Sequence, residues 1–211
     1  MTRREPPLRI YRIPFSTNVE RVALALGHKD VDVEWVDVPA DDRSEVVWVS
    51  GQELVPVLVD GDRVLFDSPV VLAYVEERFP EPPLYPPDAA RRAEVQVFLD
   101  WFNQLWKRPP NLIVAEEAKP EPNRERIAEL ERRIAGSLPV FEGLLSGRDY
   151  LFGDELTVAD VTAFPFLKYA VLWTEGDPDR FHEVLRETMR LDGRYPRLAG
   201  WIHRIDALPR A

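Results

Sequence analysis

Apolar positions at the start of the chain follow a strand period that changes to a helix period. Leu8 and Ile10 alternate with Arg9 and Tyr11, which predicts a strand that ends before Pro14. A helical stripe follows it, made of apolar side chains at intervals of three and four: Val19, Val22, Ala23 and Leu26. Thr17 and Glu20 have the spacing of a capping box, and Gly27 is the predicted stop of this helix.

The next part of the chain returns to strand patterns. Residues 31–38 alternate apolar and polar side chains and predict a second strand, and the segment after it has no clear period. Two β-rich runs in LVPVLVDGDRVLF, at 54–66, flank Asp60, Gly61 and Asp62, which is a hairpin signal. Ser68 and Pro69 then predict the cap and first turn of a second helix.

Beyond the prolines at 80–87 the pattern is helical throughout. One stripe runs from Val95 to Leu105 and a longer one from Ile127 to Leu145, with a kink or early end predicted at Pro139. The prolines between the two stripes predict a loop there: Pro109, Pro110, Pro120 and Pro122. Thr157 with Asp160 predicts a second capping box, and two more stripes lie at 185–191 and 198–205.

These patterns predict an α/β part followed by an all-α part. We expect a disordered tail at 1–7, an α/β domain at 8–79, a proline-rich linker at 80–88 and an all-helical domain at 89–211. The chain has 211 residues, enough for such a division.

Composition excludes several classes of function. The formal net charge of −10 disfavours nucleic acid and anionic membranes as partners, and the longest apolar stretch is too short to span a bilayer. There is no cysteine, so a thiolate metal site or a cysteine nucleophile is excluded. The three histidines, His28, His182 and His203, lie far apart, and we predict no metal site and a cytoplasmic location.

Candidate chemistry lies at the starts of the two predicted helices of the α/β part. Ser16, Thr17 and Asn18 stand where backbone N–H groups and the helix dipole stabilise an anion, and a hydroxyl donor there would favour a thiolate. These three residues could also be helix caps only. Val55 before Pro56 is held extended, as a strand partner for a peptide or as a simple strand start.

A third candidate is Asp67 with Ser68, which could hold an ammonium and a carboxylate, or cap the helix. With these residues, the chain resembles the cytosolic glutathione transferases from Leu8 to its last helix. Four segments carry the resemblance: PFSTNVERVALAL, VPVLVDGDRVLFDS, the proline linker and LTVADV. The resemblance implies a thioredoxin-like N-terminal domain, a helical C-terminal domain and a homodimer that functions in detoxification.

The resemblance also implies roles for single residues. Counting back six residues from the Val of the pair Arg21-Val22 puts the activation of the glutathione sulfur on Ser16, although Thr17 offers a hydroxyl at the same helix entry. Glutathione would be held by five residues: Gln52, Val55, Pro56, Asp67 and Ser68. The segment from Gln52 to Val55 is longer than the common Gln-Val-Pro arrangement, and Arg43 offers another partner for the glycine carboxylate.

The predicted function is therefore a glutathione transferase. Its glutathione thiolate would attack a small-molecule electrophile in a pocket lined by Phe102 and Trp106, although apolar side chains at that spacing also form helix cores. Two alternatives keep the fold: a binding or regulatory protein without catalysis, and a glutathione-dependent isomerase or dehalogenase. Another low-molecular-weight thiol could also replace glutathione.

Overall fold

Four short strands form one mixed sheet in the first part of the computed structural model, which describes residues 8–211. The strands are β1 (Arg9–Arg12), β2 (Glu34–Asp37), β3 (Val57–Asp60) and β4 (Arg63–Phe66), in the order β2-β1-β3-β4. β1 is parallel to β2 and antiparallel to β3, and β3 and β4 form the predicted hairpin. The tail predicted at 1–7 lies outside the described residues.

Helices cover both faces of this sheet, and its central strands are therefore buried on both sides. Ile10 of β1 packs with α1 (Thr17–His28) and α3 (Ser68–Arg78), in a cluster that includes Val22 and Val71. The neighbouring Tyr11 points to the opposite face and packs with Val46 of α2 (Ser44–Ser50). The order β1-α1-β2-α2-β3-β4-α3 is the thioredoxin-like arrangement, so the predicted fold of this part is confirmed.

Several boundaries differ from the sequence patterns. The N-cap of α1 is Ser16, whose Oγ accepts from Val19 N, so the predicted Thr17 capping box is wrong. This helix passes Gly27 and ends at His28, because a glycine inside a helix costs only about 1 kcal/mol. Asp67, and not Ser68, occupies the N-cap position of α3.

The rest of the chain is helical. Its helices are α4 (Ala89–Trp101), a π-helical turn (Phe102–Trp106), α5 (Arg108–Glu117), α6 (Arg124–Ala135), α7 (Leu138–Leu144), α8 (Val158–Leu167), a 3₁₀ turn (Lys168–Ala170), α9 (Arg180–Thr188) and α10 (Pro196–Asp206). The contacts between residues of the chain divide the structure into two compact units. The first runs to Leu84 and includes Leu208–Ala211, and the second is Tyr85–Ala207.

Two prolines predicted to lie in a loop instead begin a helix. Pro109 and Pro110 occupy the first turn of α5, where the N–H groups that proline lacks have no helical partner. The predicted loop is therefore wrong for residues 108–117. Pro139 acts as predicted: α6 ends at Ala135, and α7 begins one residue before this proline.

The core of the helical unit is aromatic. Phe102 is fully buried and stacks on Trp106 with ring centroids 4.6 Å apart, and Phe141 and Phe166 meet them edge to face. At the start of α8 the predicted capping box of Thr157 and Asp160 is present.

Candidate active site

The first turn of α1 holds the predicted hydroxyl groups. Phe15 has a positive φ of 61°, which turns the chain from the strand β1 into the helix. Ser16 follows in an extended conformation, is half-buried, and its Oγ lies 3.3 Å from Val19 N. Thr17 is buried, with 6% of its surface exposed. Of these two hydroxyl residues, Ser16 is the more accessible one at the helix entry.

The start of β3 presents the predicted peptide-binding backbone. The Val55–Pro56 bond is cis, Val55 is half-buried and Pro56 is buried. Pairing of β3 with β1 and with β4 begins at Val57, so Val55 lies just outside both hydrogen-bonded ladders. Its backbone therefore lies where an extended ligand would add to the sheet.

Gln52 serves the local turn. Its Nε2 donates to Ser50 Oγ at 2.8 Å and to Leu54 O at 2.9 Å, and its Oε1 accepts from Leu54 N at 2.6 Å. Binding a ligand carboxylate through this amide would break at least one of those bonds. The structure thus gives Gln52 a role in shaping residues 50–54.

Ser68, at the first turn of α3, is linked to α1 through a buried arginine. Arg21 is fully buried, and its Nη1 donates to Ser68 Oγ at 3.1 Å and to Asn18 Oδ1 at 3.3 Å. Ser68 Oγ also lies 3.3 Å from Asn18 Oδ1 and donates its proton there. Asp67, next to Ser68, is exposed and has a φ of 69°. Arg21, Asn18 and Ser68 form one network, which we call the Arg21 network.

The electrostatics of this network are those of a buried cation. Burial lowers the pKa of Arg21 to about 9, and the Asp67 carboxylate opposes that shift. A group with that pKa is still protonated at neutral pH. The guanidinium therefore places a positive charge beneath the starts of both helices, where an anionic ligand would be stabilised.

Arg21 is the functional candidate that sequence reasoning missed. An arginine inside an amphipathic helix is usually on the solvent face. In the sequence, the pair Arg21-Val22 served only to locate Ser16 by counting back from it. No sequence pattern marks its burial, because position 21 lies on the side of the helix opposite the stripe of Val19, Val22 and Leu26.

A cavity of about 440 Å³ opens beside Ser16 in the first unit. Its apolar wall contains Ile13, Phe15 and Val19, and another part of the wall is made by Arg210 and Ala211. None of the residues predicted to hold glutathione, other than the sulfur-activating Ser16, lines this cavity. It is therefore a space next to the predicted sulfur position and separate from the predicted tripeptide groove.

The two aromatic residues predicted to line the electrophile pocket lie in the second unit. Phe102 is fully buried in the aromatic core. Trp106 is 5% exposed, donates from Nε1 to Ser137 Oγ at 2.8 Å, and lines a cavity of about 450 Å³ together with Trp101 and Leu105.

Over residues 8–211, no group of three or more His, Cys, Asp or Glu side chains could hold a metal ion. None of the helices in this described part of the chain is long and apolar enough to cross a bilayer.

The chain matches known proteins in both of its units. The family model "Glutathione S-transferase, N-terminal domain" matches residues 10–83, and "Glutathione S-transferase, C-terminal domain" matches residues 124–204. A zeta-class glutathione S-transferase of Euphorbia esula is 30% identical over 86% of this chain and 84% of its own length. A stringent starvation protein A homolog of Coxiella burnetii is 28% identical, over 75% of this chain and 73% of its own.

A solved structure agrees over nearly the whole chain. The glutathione S-transferase of Methylobacterium radiotolerans, in complex with glutathione sulfonate, has a TM-score of 0.76 and 25% sequence identity to this chain. The match covers 97% of this chain and 95% of that one.

Proposed function

This chain belongs to the glutathione S-transferase family, and we propose that Ser16 activates the sulfur of bound glutathione for attack on a small electrophile. The family uses glutathione as co-substrate, and the family resemblance carried by the residues is confirmed. The observation that carries the proposal is the position of the Ser16 hydroxyl at the N-terminus of α1, half-buried and beside an open cavity.

The proposed chemistry follows from this position. A free thiol has a pKa of about 8.5, so only a few per cent is thiolate at neutral pH. The Ser16 O–H would donate to the sulfur, and the partial positive charge at the start of α1 would add to that effect, so the thiolate fraction rises. The thiolate then forms the new S–C bond, while the electrophile's leaving group departs with its electron pair or the addition product takes up a proton.

Glutathione would lie along Val55, with its γ-glutamyl end at Asp67 and Ser68. The exposed Asp67 carboxylate suits an ammonium, and the buried cation of Arg21 below Ser68 favours the neighbouring carboxylate. Pro56 favours an extended backbone at Val55, because the residue before a proline is restricted to that region. Gln52 is the weakest of the proposed ligands, because its amide is already bonded within the turn at 50–54.

The electrophile would bind in the cavity beside Ser16. Its wall combines apolar side chains, such as Ile13 and Phe15, with two ion pairs, Arg12–Asp37 and Glu20–Arg210. It therefore suits an electrophile that has both apolar and polar parts, and it adjoins the proposed sulfur position. The lining roles expected for Phe102 and Trp106 remain predictions.

The test separates the Ser16 hydroxyl from its role as a helix cap. Because Gly caps a helix nearly as well as Ser, the Ser16→Gly variant removes the hydroxyl at a cost of only a few tenths of a kcal/mol. We expect kcat/KM with an activated aryl halide to fall by about 100-fold. The ultraviolet absorbance of bound glutathione should show a thiol pKa that has risen towards that of free thiol.

The matched control is Thr17→Val, which keeps the buried shape and removes the second hydroxyl. We expect it to retain activity. A large loss in Thr17→Val with normal activity in Ser16→Gly would transfer the role to Thr17. Normal activity in both variants would contradict hydroxyl activation altogether.

A second candidate is a binding or regulatory protein that performs no reaction. The similarity to the stringent starvation protein A homolog supports this alternative, because the name of that relative does not describe a transferase. It predicts that no electrophile is turned over, whether or not millimolar glutathione shifts the thermal unfolding. A glutathione-dependent isomerase or dehalogenase would instead turn over only its own class of electrophile.

We also propose a homodimer in the cytoplasm, with a detoxifying function. Exposed apolar side chains on the edge strand β4 and on α3 support a dimer: Val64 and Phe66 are 37% and 46% exposed, and Val70 is 49% exposed. Light scattering would test it, and the mass of a single chain at micromolar concentration would contradict it.

A further inference from the structure

The hydroxyl group of Ser68 already acts as both acceptor and donor within the protein. The residue is buried, with 2% of its surface exposed. Its Oγ accepts a hydrogen bond from Arg21 Nη1 at 3.1 Å and donates to Asn18 Oδ1, 3.3 Å away. A hydroxyl group has one proton. Because the Ser68 proton is donated to Asn18, it must leave that oxygen before a ligand can accept it.

Asn18 is the member of the Arg21 network to which the proposed reaction gives no role. It lies in the first turn of α1, two residues after Ser16, and is half-buried. Its Oδ1 accepts from Arg21 Nη1 at 3.3 Å as well as from Ser68 Oγ. The amide oxygen of Asn18 therefore connects the start of α1 with the start of α3.

The hydrogen bond between Ser68 and Asn18 is weak enough to be exchanged. Its oxygen–oxygen distance of 3.3 Å is longer than the usual distance of about 2.7–2.8 Å for a hydroxyl donor. A carboxylate is a stronger acceptor than an amide oxygen, since a hydrogen bond to a charged group is about twice as strong as a neutral one. A carboxylate that arrives at Ser68 therefore takes the proton from Asn18.

We propose that Asn18 sets the affinity for glutathione by competing with the γ-glutamyl carboxylate for the Ser68 proton. The inference rests on the proposed function, which places that carboxylate at Ser68. On binding, the Ser68 O–H rotates from Asn18 to the ligand, while Arg21 continues to donate to both side-chain oxygens. The broken hydrogen bond subtracts from the free energy of binding. Because the product keeps the γ-glutamyl end, the same competition speeds its release.

Titration calorimetry of the full chain with reduced glutathione tests this role. Asn18→Leu removes the acceptor and keeps a side chain of similar shape. We expect Kd to fall about threefold, because a neutral hydrogen bond no longer opposes binding. The Tm should also fall, since Arg21 loses one acceptor. A residue that only supported the fold would lose affinity together with stability, so the sign of the change in Kd distinguishes the two roles.

Asn18→Asp should change the affinity in the opposite direction. Aspartate can accept from the same two donors, and its carboxylate holds the Ser68 proton by a charge-assisted hydrogen bond. We expect Kd to rise about tenfold. Because this variant keeps an acceptor for Arg21, it tests the proposal even if Asn18→Leu does not fold.

The matched control is Asn111→Leu. It makes the same replacement at an exposed position of α5, in the second unit. We expect its Kd for glutathione to equal that of the unaltered chain.

The effect of Asn18 should depend on the Ser68 hydroxyl. In a chain that carries Ser68→Ala, adding Asn18→Leu should leave Kd unchanged, since there is no proton to compete for. The inference is overturned if Asn18→Leu binds glutathione no more tightly than the unaltered chain, if Asn18→Asp binds it equally well, or if the gain persists without the Ser68 hydroxyl. If the unaltered chain binds no glutathione, the proposed function fails together with the inference.

Discussion

The guanidinium of Arg21 donates a hydrogen bond to the hydroxyl oxygen of Ser68, with a distance of 3.1 Å between Nη1 and Oγ. The two residues are 47 positions apart, and both side chains are buried. This bond connects α1, which begins next to the proposed sulfur position, with α3, which begins at the proposed γ-glutamyl position. One buried cation therefore orients polar groups at both ends of the candidate site.

Replacing Arg21 with Met should weaken glutathione binding more than catalysis. The variant removes the donor to Ser68 Oγ and to Asn18 Oδ1, and charged hydrogen bonds contribute about 1.5–3 kcal/mol. We expect the KM for glutathione to rise about tenfold or more, with kcat changed by less than about threefold. Steady-state kinetics with varied glutathione measure both values.

Arg21→Lys is the matched comparison for this prediction. It keeps the positive charge, but a single ammonium replaces the fork that contacts Asn18 and Ser68. We expect an intermediate KM. If kcat fell while KM stayed constant, Arg21 would act on the sulfur and not on the γ-glutamyl end.

Asp160 should be essential for the stability of the helical unit. Its carboxylate is fully buried and accepts four hydrogen bonds: from Leu151 N, Thr157 N, Thr157 Oγ1 and Trp201 Nε1. In Asp160→Asn one oxygen becomes an NH₂ group that faces donors. We expect a loss of about 3 kcal/mol, which lowers Tm by roughly 6–12 °C.

Calorimetry of Asp160→Asn measures that change, and Glu155→Gln is its control. Glu155 is exposed and lies in the loop before α8, so its replacement should change Tm by less than about 2 °C. Equal Tm values for the two variants would show that the Asp160 network contributes little.

The ion pair of Glu117 with Arg180 should give the fold a pH-dependent contribution. Arg180 Nε and Nη2 lie 2.9 and 2.8 Å from the two carboxylate oxygens, which links α5 to α9. The hydrogen bonds from Arg180 lower the pKa of Glu117. Because folding lowers this pKa, the stabilisation is present above the ordinary value of 4.5 and is lost as the pH falls below it.

Glu117→Gln should therefore lower the free energy of unfolding by about 0.5–1 kcal/mol at pH 7. The difference from the unaltered chain should shrink as the pH falls below 4.5. Denaturant unfolding across this range measures it. Glu187→Gln removes a more exposed carboxylate from the same arginine and should have a smaller effect. A difference that persists undiminished at pH 3 would contradict the pairing.

Local spacing was enough to predict the hairpin at 57–66 and the capping box at 157–160, because both depend on residues close together in sequence. It was not enough for α2. Only Val46 of that helix is buried and Trp48 is 87% exposed, so no helical stripe marks it. α5 was not predicted because the pair Pro109-Pro110 was interpreted as part of a loop, although proline is compatible with the first turn of a helix.

The residues of the candidate site also fall into two groups, those that local sequence indicates and those that depend on contacts distant in sequence. Ser16 and Ser68 could be named as candidates because both lie near helix starts, which have a sequence signature, and the choice of Ser16 for the sulfur came from the family resemblance. Arg21 could not be named, because its role depends on a contact between two helices that are far apart in sequence. The contribution of Arg210 to the cavity beside Ser16 is equally non-local, and no pattern of hydrophobic positions indicates it.

Gly27 allows residues 209–211 to pass close to α1. A Cβ at this position would lie 2.3 Å from Pro209 O and 2.8 Å from Arg210 Cα, which are distances that no real contact reaches. The segment is held by Ala211 N, which donates to Ala23 O at 3.1 Å. Gly27→Ala should therefore displace this segment, although alanine favours a helix by about 1 kcal/mol.

Gly200→Ala is the matched control, because Gly200 also lies inside a helix and a Cβ there would meet no atom within 4 Å. It should raise the stability by about 0.5–1 kcal/mol, or roughly 1–4 °C in Tm. Gly27→Ala should instead lower Tm and speed hydrogen exchange at the Ala211 amide, because hydrogen bonds worth about 0.5–1.5 kcal/mol each are lost.

Activity gives this comparison a second measurement. Because Arg210 and Ala211 line the cavity beside Ser16, displacing them should raise the KM for the electrophile. The KM for glutathione should be unchanged, since none of the residues proposed to hold the tripeptide lines the cavity that this segment bounds. If Gly27→Ala and Gly200→Ala stabilised the chain equally and left both KM values unchanged, the close approach at Gly27 would have no role in the fold or in the pocket.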